Sequence, residues 1–194
     1  RAAREAGAEV RLVAGPVHLP TPLGVRRCDV QSALQMQAAV QAELDWASVF
    51  VAAAAVADWR PAHSAEQKIK KDGSGQPPSL AFVENPDILA QAAASPRARA
   101  GQLYCVGFAA ESHDLHTHAE AKRRRKGVPL LVGNIGPATF GRDDNALLLL
   151  DEQGSQALPA APKLQLARTL VAEIARRLGR AGCRDGREAD TIQP

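Results

Sequence analysis

The chain has 194 residues, 45% of them hydrophobic and only 4% aromatic, enough for one α/β domain whose core must be built from Ala, Leu and Val. Its 24 basic and 21 acidic residues leave a formal charge of +3 and a pI near 9.0, which suits small anionic ligands and excludes a polycation that grips nucleic acid by charge alone. No apolar run approaches the ~20 residues of a membrane span, nothing reads as a signal peptide, and Cys28, Cys105 and Cys183 lack metal-ligand spacing, so they read as reduced core or tail thiols of a cytoplasmic protein.

With Arg at position 1 and Met36 the sole methionine, the sequence reads as a piece whose start lies upstream. The first residues are expected to be the last turns of a helix, with Gly7 as its C-cap, followed by a strand over Val10 to Ala14. A Pro-rich turn leads to a short strand, Val25 to Asp29. Val30 to Leu44 has the spacing of an amphipathic helix, with Val30, Leu34, Ala38 and Leu44 along one face. Ser48 to Ala53 is a continuous apolar run without alternation, which predicts a fully buried strand in a parallel sheet covered on both faces.

The stretch from Val51 to Lys71 organises the rest. An apolar strand of small residues runs out into Asp58 and a loop ending in KIKK. In an open α/β sheet, ligands sit beyond the carboxyl ends of the strands, so Asp58, Trp59 and the lysines would be displayed where a ligand docks. Ala54 and Ala55 carry so little bulk that their backbone N–H groups could meet a phosphate or carboxylate closely. The same residues also fit a packed strand followed by a solvated lysine loop.

Residues 71–78, KDGSGQPP, have the composition of a mobile flap, and Leu80 to Val83 reads as a strand. Asn85 is the expected N-cap of a helix to about Ala94, with Pro86 at its first position and an N-terminus suited to an anion. After a basic turn, Ser95 to Gly101, come a buried strand from Leu103 to Ala109, a helix from His113 to Lys126 and a strand from Leu130 to Gly133. Ala146 to Leu150 and Ala157 to Leu158 form a hairpin. Lys163 to Leu178 closes the domain as an amphipathic helix, and 179–194 reads as a disordered polar tail. The expected fold is α/β: a Rossmann-like, doubly wound, mainly parallel sheet over 1–178 with a C-terminal hairpin.

Several side chains could carry chemistry, each with a plainer alternative. Lys68 stands on the flap loop, where an ammonium can close over a phosphate, or it is an ordinary exposed lysine. Lys122 and Lys126 are four apart on one helical face and could reach one phosphate tail, while Arg123, Arg124 and Arg125 read as a solvated face. Phe108 could support a base or simply fill the core. Asn85 and its neighbours offer backbone groups to a ligand edge, and Asp58 could accept from a nucleotide or cap a turn. His63, His113, His116 and His118 invite a metal, but no carboxylate completes a zinc set, so metal ligands stay unassigned.

VAAAAVADWRP, KIKK, NPDIL, VGFAAES, AKRRRKG and FGRDDNALLLL, in this order, resemble bacterial phosphopantothenate-cysteine ligase. That enzyme is the CTP-dependent phosphopantothenoylcysteine synthetase of coenzyme A biosynthesis, often fused behind a flavin-dependent decarboxylase, which would bring FMN. The resemblance implies that CTP, with Mg²⁺, activates the carboxylate of 4′-phosphopantothenate as an acyl cytidylate and that L-cysteine then displaces CMP. Carried over by position, CTP binding falls to Asp58, Lys68, Val83, Glu84, Asn85, Pro86, Phe108, Lys122 and Lys126, with Lys68 as the catalytic residue and Ala54 and Ala55 lining the substrate pocket. It also implies a homodimer. Trp59, Glu84 and Ile135 depart from the family's commoner residues.

The family's opening strand, phosphopantothenate loop and an asparagine of the second half-reaction have no counterpart here. A missing first strand would lie mid-sheet and leave two neighbouring strand edges unpaired, so the segment is expected to exist in the folded object. Three other readings compete. An NAD(P)-binding oxidoreductase shares the fold, although no GxGxxG follows a strand. A nucleic-acid module built on AKRRRK has few aromatics for stacking. The third is a nucleotide-binding fragment without catalysis.

Overall fold

The computed structural model describes residues 1–63, 67, 70, 79–111, 114–135 and 142–184. Along the chain run α1 (Ala2–Glu5), β1 (Val10–Ala14), β2 (Val25–Asp29), α2 (Ala33–Leu44), β3 (Val49–Ala52), β4 (Trp59–Pro61) and β5 (Phe82–Glu84). They are followed by α3 (Ile88–Ala93), α4 (Pro96–Arg99), β6 (Tyr104–Glu111), α5 (Leu115–Lys126), β7 (Leu130–Ile135), β8 (Asp144–Asp151), β9 (Gly154–Pro162) and α6 (Lys163–Arg184).

Local chemistry sets several of these boundaries. Gly7 follows α1 with φ +91°, a conformation that favours glycine and ends the helix where expected. The Ser32 hydroxyl accepts from the Gln35 N–H while the Gln35 side chain accepts from the Ser32 N–H. This reciprocal box starts α2 at Ala33 and leaves Val30 outside the helix. Ser95 caps α4, with Pro96 in its first turn, so the expected basic turn contains a helical turn. Gly127, at φ +65°, stops α5.

The main sheet has the order β3-β6-β7-β8-β9. β3, β6 and β7 are parallel, while β7 to β8 and β8 to β9 are antiparallel, so a parallel α/β sheet ends in the expected C-terminal hairpin. β1 and β2 form a separate parallel pair. Val13 of β1 and Phe50 of β3 nevertheless pack against one core cluster, with Val40 and Leu44 of α2. Among the described residues β1 pairs only with β2 and β3 only with β6, so each presents one open edge.

That open edge corrects the expectation of a fully buried Ser48 to Ala53 strand. Val49 and Phe50 are half-buried and Val51 is 43% exposed. The core lies instead in β6, β7 and β8, where Val106, Leu130, Leu131 and Val132 are fully buried. One face packs against α2, α3 and α5 and the other against α6. Cys105 is buried, and loss of solvation pushes its thiol up to about 11. Cys28 is exposed on β2, a correction to its reading as a core or tail thiol, because β2 forms the end of a two-stranded pair. The last helix runs on past Leu178 to Arg184; the rest of the expected tail lies outside the described residues.

Gly107 makes the tightness of this core testable. A Cβ there would come within 2.7 Å of both Leu131 Cδ1 and Leu89 Cδ2, and Leu131 has nowhere to retreat in a close-packed interior. Gly107→Ala is expected to cost about 1–3 kcal/mol, read as a lower denaturation midpoint at unchanged m-value.

Candidate functional site

After β3 the chain leaves regular structure, and Ala53, Ala54, Ala55, Ala57 and Asp58 are all exposed. β4 then pairs antiparallel with β5, placing Trp59 opposite Glu84, Arg60 opposite Val83 and Pro61 opposite Phe82. Trp59 and Phe82 are 61% and 57% exposed on this ribbon.

Asn85 holds the ribbon to the loop before it. Its N–H donates to the Asp58 carbonyl at 2.7 Å and its Nδ2 to the Ala57 carbonyl at 2.9 Å. Arg60 Nη1 donates to the Glu84 carbonyl at 2.6 Å and to Asn85 Oδ1 at 3.1 Å. Asn85 is therefore not the N-cap of α3. That role belongs to Asp87, whose Oδ1 accepts from the Ala90 N–H at 3.0 Å. Pro86 biases the residue before it toward extended backbone, which keeps Asn85 on the ribbon and lets the helix begin only after Pro86.

The other Asp87 oxygen, Oδ2, accepts from Lys126 Nζ at the end of α5. Burial pushes the Asp87 carboxyl up, but the Lys126 hydrogen bond, the Ala90 N–H and the charges of Lys126 and Arg125 outweigh it and hold it below the ordinary aspartate value. A carboxyl depressed by folding stabilises above its unfolded pKa, and that contribution disappears as pH falls through the folded value. Acidification below the ordinary 3.8 is therefore expected to erode stability. In Asp87→Asn that part of the slope should vanish, as read by denaturant unfolding between pH 5 and pH 2.

One turn before Lys126, Lys122 reaches a different carboxylate: its Nζ lies 3.9 Å from Glu111 Oε1, at the end of β6. Between the two lysines, Arg123 turns inward. It is 8% exposed and donates from Nε and Nη2 to Glu120 at 2.8 and 3.0 Å, and from Nη1 to the Val128 carbonyl. Hydrogen bonds from Arg123 and Arg124 hold the Glu120 carboxyl at about 2. This corrects the reading of Arg123 as solvated. Its fork ties the C-terminal turn of α5 to the chain entering β7, while Arg124 and Arg125 are exposed as expected.

The expected site residues thus fall into groups. Asp58, Val83, Glu84, Asn85 and Pro86 lie together along the ribbon, and Asp87 joins this group to Lys126, with Lys122 one turn away. Phe108 packs into the cluster on the α6 face of the sheet, the opposite face from α5. Lys68, most of the KIKK loop and His113 lie outside the described residues. Two shallow hollows, one lined by Arg11, Arg26, Arg27 and Glu43 and one by Asp151, Ser155, Arg176 and Arg177, contain none of the expected residues. Among the described residues no three His, Cys, Asp or Glu side chains stand together as a metal cage. Sequence reasoning passed over Asp87 and Glu111. Both lie inside the motifs NPDIL and VGFAAES, but their partners come from a later helix, which no local pattern reveals.

The comparisons with known proteins agree with this architecture. A 45% identical relative over 174 residues is the coenzyme A biosynthesis bifunctional protein CoaBC of Vibrio cholerae, covering 88% of this chain and 43% of that protein. The protein of the same name from Escherichia coli is 43% identical over 180 residues, covering 91% of this chain and 44% of its own length. This chain therefore spans less than half the length of these relatives. The crystal structure of the C-terminal domain of a CoaBC superposes with a TM-score of 0.75 at 28% identity, covering 92% of this chain and 79% of that one. The profile of the DNA/pantothenate metabolism flavoprotein C-terminal domain matches residues 1–178, and the chain belongs to that family.

Proposed function

We propose that this chain is the ligase domain that joins 4′-phosphopantothenate to L-cysteine at the expense of CTP, in coenzyme A biosynthesis. The observation that carries the reading is the placement of Lys122 and Lys126. They stand one turn apart on α5 and each reaches off the helix to a carboxylate on another element, Glu111 and Asp87, beside the ribbon that bears Asn85. Relatives named for coenzyme A biosynthesis at 43–45% identity support the substrate class.

In the reaction, a carboxylate oxygen of 4′-phosphopantothenate attacks the α-phosphorus of CTP and pyrophosphate leaves, giving the acyl cytidylate. The cysteine amine then attacks the acyl carbon, CMP leaves with the bonding electrons, and the amine proton passes to solvent. Two such anions repel by roughly 4 kcal/mol at 4 Å in an effective dielectric of 20. Lys122 and Lys126 offset that repulsion at the phosphates, and Lys68 serves as the catalytic residue, its ammonium stabilising charge as it develops. Asp58, Val83, Glu84, Asn85 and Pro86 hold the nucleoside, and the small Ala54 and Ala55 let backbone N–H groups approach the substrate. Mg²⁺ enters as part of the nucleotide substrate, taking most of its ligands from phosphate and water. FMN enters only if a flavin-dependent decarboxylase domain is fused to this chain, and a homodimer is part of the proposal.

The test is nucleotide-dependent thermal stabilisation with CTP, ATP, UTP and NADPH, Lys68→Gln serving as control. At a hundredfold excess over Kd, a bound nucleotide stabilises by about 2.7 kcal/mol, a rise in Tm of roughly 5–11 °C for a chain of this size. CTP is expected to give that rise, with release of pyrophosphate only when 4′-phosphopantothenate is present. NADPH stabilisation without CTP stabilisation would replace this reading with a Rossmann oxidoreductase. CTP stabilisation without pyrophosphate would leave a nucleotide-binding fragment.

A further inference from the structure

Glu111 closes β6, and the alternation of the strand puts its side chain on the α5 face together with buried Ala109. Its two oxygens are divided between successive turns of that helix: Oε1 lies 3.9 Å from Lys122 Nζ and Oε2 lies 4.0 Å from His118 Nδ1. Both distances exceed a hydrogen bond, so charge and not a directional bond holds Lys122 in place. Lys126 differs, because its partner Asp87 also caps α3 and cannot leave without uncapping that helix. Among the described residues Glu111 caps nothing, and its carboxylate accepts no hydrogen bond.

We propose that Glu111 is a positioning residue that competes with the nucleotide for Lys122. It neutralises the ammonium in the empty site and gives it up to the phosphates when the triphosphate arrives. The proposal rests on the nucleotide reading above. A nearby carboxylate also opposes an incoming anion, so the opposition grows with phosphate charge. The site then binds a triphosphate more weakly than its lysines alone would allow, and pyrophosphate leaves more readily because Glu111 retakes the lysine.

Calorimetric titration of the folded chain at fixed ionic strength and Mg²⁺ tests this. Glu111→Gln keeps the shape and removes the charge. It is expected to lower the Kd for CTP about 3–10-fold, in line with the loss of one competing charge, and to change the Kd for CMP less than about twofold. In a Lys122→Met background the same substitution should change CTP binding less than about twofold, because the competition acts through Lys122. Glu111→Asp, which withdraws the carboxylate by one methylene, serves the same comparison should the amide disturb folding, with an expected gain of about twofold or more. Unchanged or weaker CTP binding in a folded Glu111 variant overturns the competition alone. Equal tightening in the Lys122→Met background overturns it too. If neither the unsubstituted chain nor Glu111→Gln binds CTP, the nucleotide reading itself fails and the competition falls with it.

Discussion

Lys126→Met is expected to weaken CTP binding about 10–100-fold, from the roughly 1.5–3 kcal/mol that a hydrogen bond to a charged group contributes at 1.4 kcal/mol per tenfold. Methionine keeps the aliphatic length of the stem, so the fold should persist. The ammonium that faces Asp87 disappears, which removes one cation from the phosphates and leaves one carboxylate uncompensated nearby. The loss should therefore be steepest for the triphosphate and small for cytidine. Titration calorimetry with CTP and cytidine reads both effects, and a thermal midpoint without nucleotide checks the fold. Unweakened CTP binding would remove Lys126 from the site and leave its pair with Asp87 a purely structural link between α5 and the start of α3.

Leu131→Ala should have the largest effect on stability, about 3–5 kcal/mol out of the ~5–15 kcal/mol of a typical domain. Leu131 is fully buried in β7, in register with Gly107 of β6 on one side and Leu150 of β8 on the other. It packs in the same cluster as Ala109, Leu150 and Val128, and the missing side chain at Gly107 is what gives it room. Strands pinned on both sides cannot collapse into the void, so the cavity term adds to the lost burial. For a chain of this length the shift in Tm is roughly 6–20 °C. Leu23→Ala is the matched control: Leu23 is 98% exposed, and its loss should stay within about 0.5 kcal/mol. Equal costs at the two positions would contradict the placement of β7 at the centre of the core.

Much of the architecture was legible in the sequence because it is written in short-range chemistry. Apolar runs marked β1, β6, β7 and β8, Gly7 marked the end of α1, and the AKRRRKG stretch marked the end of α5, since each depends on residues within a few positions of one another. The motifs around NPDIL and VGFAAES pointed to the family on the same terms. The tertiary structure alone decided the rest. A helix repeat puts Arg123 among five basic residues and cannot show that it meets the Val128 carbonyl; an apolar run cannot show that Val51 faces an open edge. Strand alternation gives Phe108 two faces, and only the packing of α6 and α5 says which one it took. The pairing of Lys126 with Asp87 spans 39 positions, and that of Lys122 with Glu111 joins a helix to the end of a strand. Such contacts exist only once the sheet has brought distant elements together, because charge and packing act through space while sequence patterns report only what lies nearby along the chain.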